Sequence, residues 1–171
     1  MKLILIRHAE SLANVTGITQ GQKINEPLSD LGKLQAQKLA KYLKDETVEA
    51  IFSSDLKRAI STAEEISNAL KKKIIIDKRL REKDHDNEQN EEFITRCKAF
   101  LEDVKKYSGT VIAVAHGGSI RTILAISTGD RKKGAELFNS VEQHNTGISE
   151  LIYLDGKWTR ATINKTEHLL S

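Results

Sequence analysis

Six consecutive uncharged residues, Thr110-Val111-Ile112-Ala113-Val114-Ala115, run directly into His116-Gly117-Gly118, and no other feature constrains the fold of this chain as much. An apolar, β-branched run without charge is the pattern of a strand covered by helices on both faces, which is the situation of strands in parallel α/β sheets. Lys2–Arg7 has the same character, with four apolar residues between two charges. Around these two runs, strand-like and helix-like segments alternate with short connections, the order of an α/β layer architecture.

Further strands are predicted over residues 48–52 and 73–77. A helix capped by Ser29 or Asp30 is expected to carry Leu31, Leu34, Leu39 and Leu43 along one face, and others to cover residues 55–70, 91–107 and 116–128. Asp155-Gly156, between residues 147–154 and 157–163, is a two-residue hairpin signal that adds antiparallel strands. The expectation is a three-layer α/β/α sandwich with a central, mostly parallel but mixed sheet, in one domain spanning residues 1–171.

Composition narrows the function classes. The single Pro, where average usage of about 5% gives roughly eight, argues against Pro-rich linkers. A net charge of +3 and 5% aromatic residues offer little to neutralise phosphate backbones or stack bases, so no nucleic-acid partner is expected. Lys71-Lys72-Lys73 is better read as protection of a strand edge. Cys97 is the only cysteine, which excludes an intrachain disulfide and suits a reducing compartment. The first apolar run is too short for a signal peptide or membrane span, so a soluble, cytoplasmic protein with no membrane partner is expected. A homodimer is left open.

Two of the five histidines stand at predicted strand ends, His8 after Arg7 and His116 before the glycine pair. The carboxyl ends of strands form the usual ligand crevice of an open α/β sheet. A lone histidine is more often a satisfied core or surface residue. Two at equivalent strand ends, one beside an arginine whose planar fork matches phosphate, shift the balance towards an oxyanion site. Gly117 and Gly118 would let backbone N–H groups at a helix start approach that anion.

Residues carrying a wider pattern are Leu5-Ile6-Arg7-His8-Ala9-Glu10-Ser11 with Asn14, Gln20-Gly21, Pro27-Leu28-Ser29, Gly32, Gln35-Ala36, Ser53-Ser54-Asp55-Leu56-Lys57-Arg58-Ala59 with Thr62-Ala63, Leu80-Arg81-Glu82, Val114-Ala115-His116-Gly117-Gly118, Asn145-Thr146-Gly147-Ile148 and His168-Leu169. Across about residues 3–169 the chain resembles the histidine phosphatase superfamily, in its phosphoglycerate-mutase-like branch. The resemblance implies that His8 attacks phosphorus and becomes a phosphohistidine, with Glu82 as general acid and then base. Arg7, Arg58 and a protonated His116 would disfavour the His8 imidazolium and hold the phosphoryl oxygens. Asn14, Gln20, Gly21 and Gly117 are the further expected phosphate contacts, and Asn145 and Thr146 more distant neighbours.

No metal or other cofactor is expected, since arginines and histidines supply the positive charge and His85, His144 and His168 have no metal-ligand spacing. Two positions depart from the family pattern. Ala9 replaces a usual glycine, a change that could narrow the pocket, and residues 83–90 lack the usual glycine and aromatic residues. Residues 71–83 hold seven basic and two acidic residues, whereas 84–92 hold five acids and no base. A solvated edge and loop explain this run, and an acidic loop filtering substrates by charge is the functional alternative. Only 33 residues separate Glu82 from His116, where mutases of the family carry a longer, basic insertion. A phosphomonoesterase acting on small phosphorylated metabolites is therefore favoured. The alternative is a 2,3-bisphosphoglycerate-dependent phosphoglycerate mutase, and a catalytically silent phosphate-binding module is the reading outside enzymes.

Overall fold

The computed structural model describes residues 1–170. Its six strands are β1 (Lys2–Arg7), β2 (Val48–Ser53), β3 (Ile74–Ile76), β4 (Thr110–Ala115), β5 (Ile148–Leu154) and β6 (Lys157–Lys165). They form one sheet in the order β3-β2-β4-β1-β5-β6. The β2–β3, β2–β4 and β1–β4 pairs are parallel, while β1–β5 and β5–β6 are antiparallel, so the sheet is mixed and mostly parallel as expected.

Strand alternation gives each face its own core. Leu3 and Leu5 join Phe52, Val111 and Ala113 against α4 (Asn90–Asp103) and α5 (Gly117–Ile126), through Phe93, Cys97, Phe100, Ile120 and Ile123. Ile4 and Ile6 join Ile51, Ile112 and Val114 on the other face, against α2 (Asp30–Leu43) and α3 (Lys57–Leu70), through Leu39, Leu43, Ala59, Ala63 and Ile66. The uncharged run of β4 is thus explained, because all of its residues after Thr110 are buried between two helical layers. Phe100 is fully buried and meets Phe52 edge-on at 5.6 Å between ring centroids. Phe100→Ala is expected to cost about 3–5 kcal/mol of stability by urea titration, and a loss under about 1 kcal/mol would contradict its central packing.

Several expectations are corrected. Leu31 and Leu34 are 54% and 57% exposed, not aligned with buried Leu39 and Leu43. At 3.6 residues per turn, a five-residue step from Leu34 to Leu39 turns well away from the same stripe, and small Gly32, Ala36 and Ala40 fill the contact instead. The strand expected over residues 73–77 is only Ile74–Ile76, at the sheet edge, because Lys71 ends α3 in a left-handed conformation and Asp77 caps a 3-10 turn, Lys78–Leu80. The helix expected over 91–107 passes into a 3-10 turn after Asp103.

Two helices escape a periodicity reading. One is α1 (Leu12–Val15), which is a single turn capped by Ser11. The other is α6 (Arg131–Ser140), whose opening Arg-Lys-Lys-Gly is polar but is capped by Asp130, which accepts from the Lys133 N–H at 2.9 Å. Among the described residues, no helix is long and apolar enough to cross a membrane.

Candidate active site

The register of the two central strands assembles the site. Arg7 of β1 lies opposite Ala115 of β4, so His8 and His116 leave the sheet side by side. The His8 N–H donates to the Ala115 carbonyl at 3.0 Å, and the two imidazole centroids are 5.1 Å apart. Both rings are buried, at 2% and 0% exposure.

His8 Nδ1 lies 2.7 Å from the Ala9 carbonyl oxygen. A carbonyl only accepts, so the proton sits on Nδ1 and the Nε2 lone pair is free of one. The Arg58 Nε–H donates to that Nε2 at 3.3 Å. Burial, followed by the charges of Arg7 and Arg58, drives the His8 pKa well below its ordinary 6.5, with the Ala9 hydrogen bond opposing. Burial likewise lowers the His116 pKa well below 6.5, and it falls further because two adjacent imidazoles resist carrying charge side by side and because Arg58 adds its charge. Burial thus works against the protonated His116 that the family resemblance implies, and the ring's Nε2 lies 2.9 Å from Ser54 Oγ.

Arg58, in the first turn of α3, is 1% exposed. It donates to the Gly21 carbonyl at 2.9 Å and the Ile24 carbonyl at 3.0 Å. Burial lowers its pKa to about 10, which leaves it charged at neutral pH. Gly21 adopts a positive φ of 49°, turning its carbonyl into that contact. Arg7 donates through Nη1 to the Gln143 carbonyl, while its buried Nε has no partner among the described residues. Buried polar atoms are rarely left unsatisfied, and an oxyanion between Arg7, Arg58 and the histidines would complete this one. Gly117 borders the same atom, since a Cβ there would stand 3.8 Å from Arg7 Nε.

Glu82 reaches the cluster from the other side. Its carboxylate accepts from the Gly118 N–H, at the start of α5, at 2.9 Å and from the Lys83 N–H at 2.9 Å. A Cβ at position 118 would lie 2.2 Å from Glu82 Oε1, so only glycine admits the carboxylate here. The sequence pattern puts the N–H groups of both Gly117 and Gly118 near the anion and gives no sign that Gly118 also makes room for the Glu82 carboxylate. The doubled glycine marks the turn alone, since any tight strand-to-helix turn also produces it.

The remaining expected residues come together as well. Asn14 Oδ1 accepts from the Ser11 N–H at 3.0 Å, and the Ser11 hydroxyl, with one proton to give, lies 3.0 Å from both Asn14 Oδ1 and Gln20 Oε1. The Asn145 side chain donates to the His8 carbonyl at 3.0 Å, and the Thr146 N–H to the Arg7 carbonyl at 3.1 Å. The buried His168 stands behind them, with Nε2 2.9 Å from Thr146 Oγ1. Asn145, Thr146 and His168 thus brace the loop that carries His8. Ala9 does not narrow the pocket, because it packs away from it against Leu28 and Ala36, and its N–H donates to Thr62 Oγ1 at 2.9 Å.

The family model of the histidine phosphatase superfamily (branch 1) matches residues 3–90 and 83–166. The chain belongs to this superfamily. The Hydrogenobacter thermophilus protein named "Putative phosphoserine phosphatase 2" is 33% identical over 201 aligned positions, which cover 98% of this chain and 97% of that protein. Phosphoserine phosphatase 1 of the same organism is 34% identical, over 72% of this chain and 74% of its own length. A phosphoserine phosphatase mutant from Entamoeba histolytica, solved with phosphoserine, superposes with a TM-score of 0.83 at 23% identity and covers 98% of each chain. A phosphoglycerate mutase from Bacillus anthracis superposes with a TM-score of 0.85 at 22% identity, over 99% of this chain and 95% of that one, which speaks for the shared fold.

The two matched stretches overlap at residues 83–90. The acids of that segment are engaged locally. Asp86 pairs with Lys23 at 2.7 Å, Glu88 pairs with Arg96, and Asp84 accepts from the N–H groups of Asp86 and Asn87. Loop 19–24 and the turn 84–86 bound a cleft of about 350 Å³.

Proposed function

We propose that this histidine phosphatase hydrolyses small phosphorylated metabolites in the cytoplasm through a phosphohistidine on His8. The observation that carries the reading is the His8 imidazole, held neutral with its proton on Nδ1 and its Nε2 beside Arg58. In the first step Nε2 bonds to phosphorus while the bond to the leaving oxygen breaks, and a protonated Glu82 gives that oxygen its proton. In the second step Glu82 takes a proton from water, the water oxygen bonds to phosphorus, and the phosphorus–nitrogen bond breaks. Alcohol and inorganic phosphate are the products, and His8 is restored.

Arg7 and Arg58 keep positive charge on the phosphoryl oxygens throughout both displacements, where positioning and electrostatics supply most of the catalysis. His116 borders the same oxygens, and Asn14, Gln20, Gly21 and Gly117 shape their surroundings. No step of this scheme uses a metal.

Phosphoserine is the first substrate to assay, since it appears in the names of the relatives above. A panel of phosphomonoesters with product analysis tests the reading. Stoichiometric release of phosphate and alcohol is expected. Rapid conversion of 3-phosphoglycerate to 2-phosphoglycerate with catalytic bisphosphoglycerate, and little free phosphate, would establish the mutase instead.

Gly118→Ala provides a local check. Its methyl group would displace the Glu82 carboxylate, so kcat/KM for an alkyl phosphate is expected to fall by at least about tenfold with little change in thermal stability. Unaltered kcat/KM would show that Glu82 does not need its place on α5.

A further inference from the structure

A largely covered charge lies outside the phosphate cluster. Arg96, on α4, has a side chain only 16% exposed, and its partner Glu88 is 14% exposed. A guanidinium has five N–H donors, and all five are used here. Nε and Nη2 form a fork on the Glu88 carboxylate, Nη1 donates to the carbonyls of Arg79 at 2.6 Å and Arg81 at 2.8 Å, and Nη2 donates to the carbonyl of Glu82 at 3.0 Å. The guanidinium also stacks over Phe93, 4.6 Å from its centroid.

We infer that Arg96 is a positioning residue for the acid–base carboxylate, gripping the backbone of residues 79–82 so that Glu82 projects onto the start of α5. The inference rests on the mechanism proposed above. Glu82 is otherwise held at its carboxylate by the Lys83 and Gly118 N–H groups and at its carbonyl by the Gln22 amide, each at 2.9 Å. Arg96 alone ties three carbonyls of that segment to a core helix. It also gives Glu88 an inward partner, so at least this acid of the 84–92 run serves as counter-charge to a clamp and not as a filter for substrate charge.

Lysine is a poor replacement, because one ammonium has three donors and no planar fork. An error of about 1 Å in a catalytic group can cost about 100-fold. The signature of such an error depends on the leaving group, since an alkoxide needs a proton to depart and a 4-nitrophenolate does not.

The test compares kcat/KM for phosphoserine, or the best alkyl phosphate of the panel, with that for 4-nitrophenyl phosphate. It uses the full chain carrying Arg96→Lys, Arg96→Met or Glu88→Gln, each with and without Glu82→Gln. For the Arg96 variants the alkyl substrate is expected to lose about 10–100-fold and the aryl substrate no more than about threefold, with no further loss once Glu82 is Gln. Glu88→Gln keeps acceptor oxygen but removes charge, and a smaller loss with the same selectivity is expected. It decides the matter if the Arg96 variants do not fold. Equal losses on both substrates, unaltered kinetics, or additivity with Glu82→Gln would overturn the inference. Trapping of phosphohistidine in the wild type is scored separately, so a failure of the underlying mechanism is distinguishable from a failure of the clamp.

Discussion

His8→Ala is expected to lower phosphatase turnover by about 10⁴-fold or more, because no other side chain can take its place as nucleophile in an otherwise intact site. Arg58 and Arg7 would still bind phosphate, so inhibition by inorganic phosphate or vanadate is expected to persist. The same variant reports on stability. Burial and two arginines hold the His8 pKa well below 6.5, so the unfolded chain binds a proton in a range where the folded chain does not. That difference favours unfolding as pH falls below about 6.5 and is absent above it. His8→Ala removes one of two such groups, His116 being the other, and is expected to lose less stability than wild type on acidification. Urea midpoints across that pH range measure this, and parallel curves for the two proteins would contradict the neutral buried imidazole.

Glu82→Gln is the second large effect. The amide can neither give a proton to a departing alkoxide nor take one from water, so kcat/KM for an alkyl phosphate is expected to fall by about 10²–10⁴-fold. For 4-nitrophenyl phosphate kcat/KM is expected to change far less, whereas kcat falls because hydrolysis of the phosphohistidine still needs the base. Steady-state kinetics on both substrates, with a burst of 4-nitrophenol in the variant, check this division. Equal kcat/KM losses and no burst would remove Glu82 from the acid–base role. Glutamine also places an amide beside the Gly118 N–H, so Glu82→Asp is a useful companion that keeps the charge while shortening the reach.

Much of this arrangement was legible before the structure, for physical reasons tied to particular residues. Arg7-His8 and His116 could be paired because each follows an apolar strand, and parallel strands end at the same edge of a sheet. The β1–β4 register realises this, with Arg7 opposite Ala115. Arg58 and Glu82 were found through the family pattern, since neither an arginine early in a helix nor a carboxylate between two basic residues stands out alone.

Other contacts depend on tertiary packing that no local pattern encodes. The Gly118 contact with Glu82 joins residues 36 positions apart, and the Arg96 fork reaches across 14 to 17 positions to carbonyl oxygens that carry no sequence information. The exposure of Leu31 and Leu34 was missed because the small residues Gly32, Ala36 and Ala40 make the buried stripe of α2. The first of these comes within contact distance of the Glu10 backbone, where a Cβ would meet the carbonyl oxygen at 1.9 Å. Close helix packing on glycine and alanine is invisible to a count of large apolar side chains.

The most direct test of the central claim is to quench the wild-type enzyme with base during turnover of a radiolabelled phosphomonoester and to locate the label by peptide mapping. Acid-labile, base-stable label on the peptide containing His8, present in wild type, enriched in Glu82→Gln and absent from His8→Ala, is the predicted result. Active wild-type enzyme with no covalent label under any quench, or with label on a residue other than His8, would contradict the account.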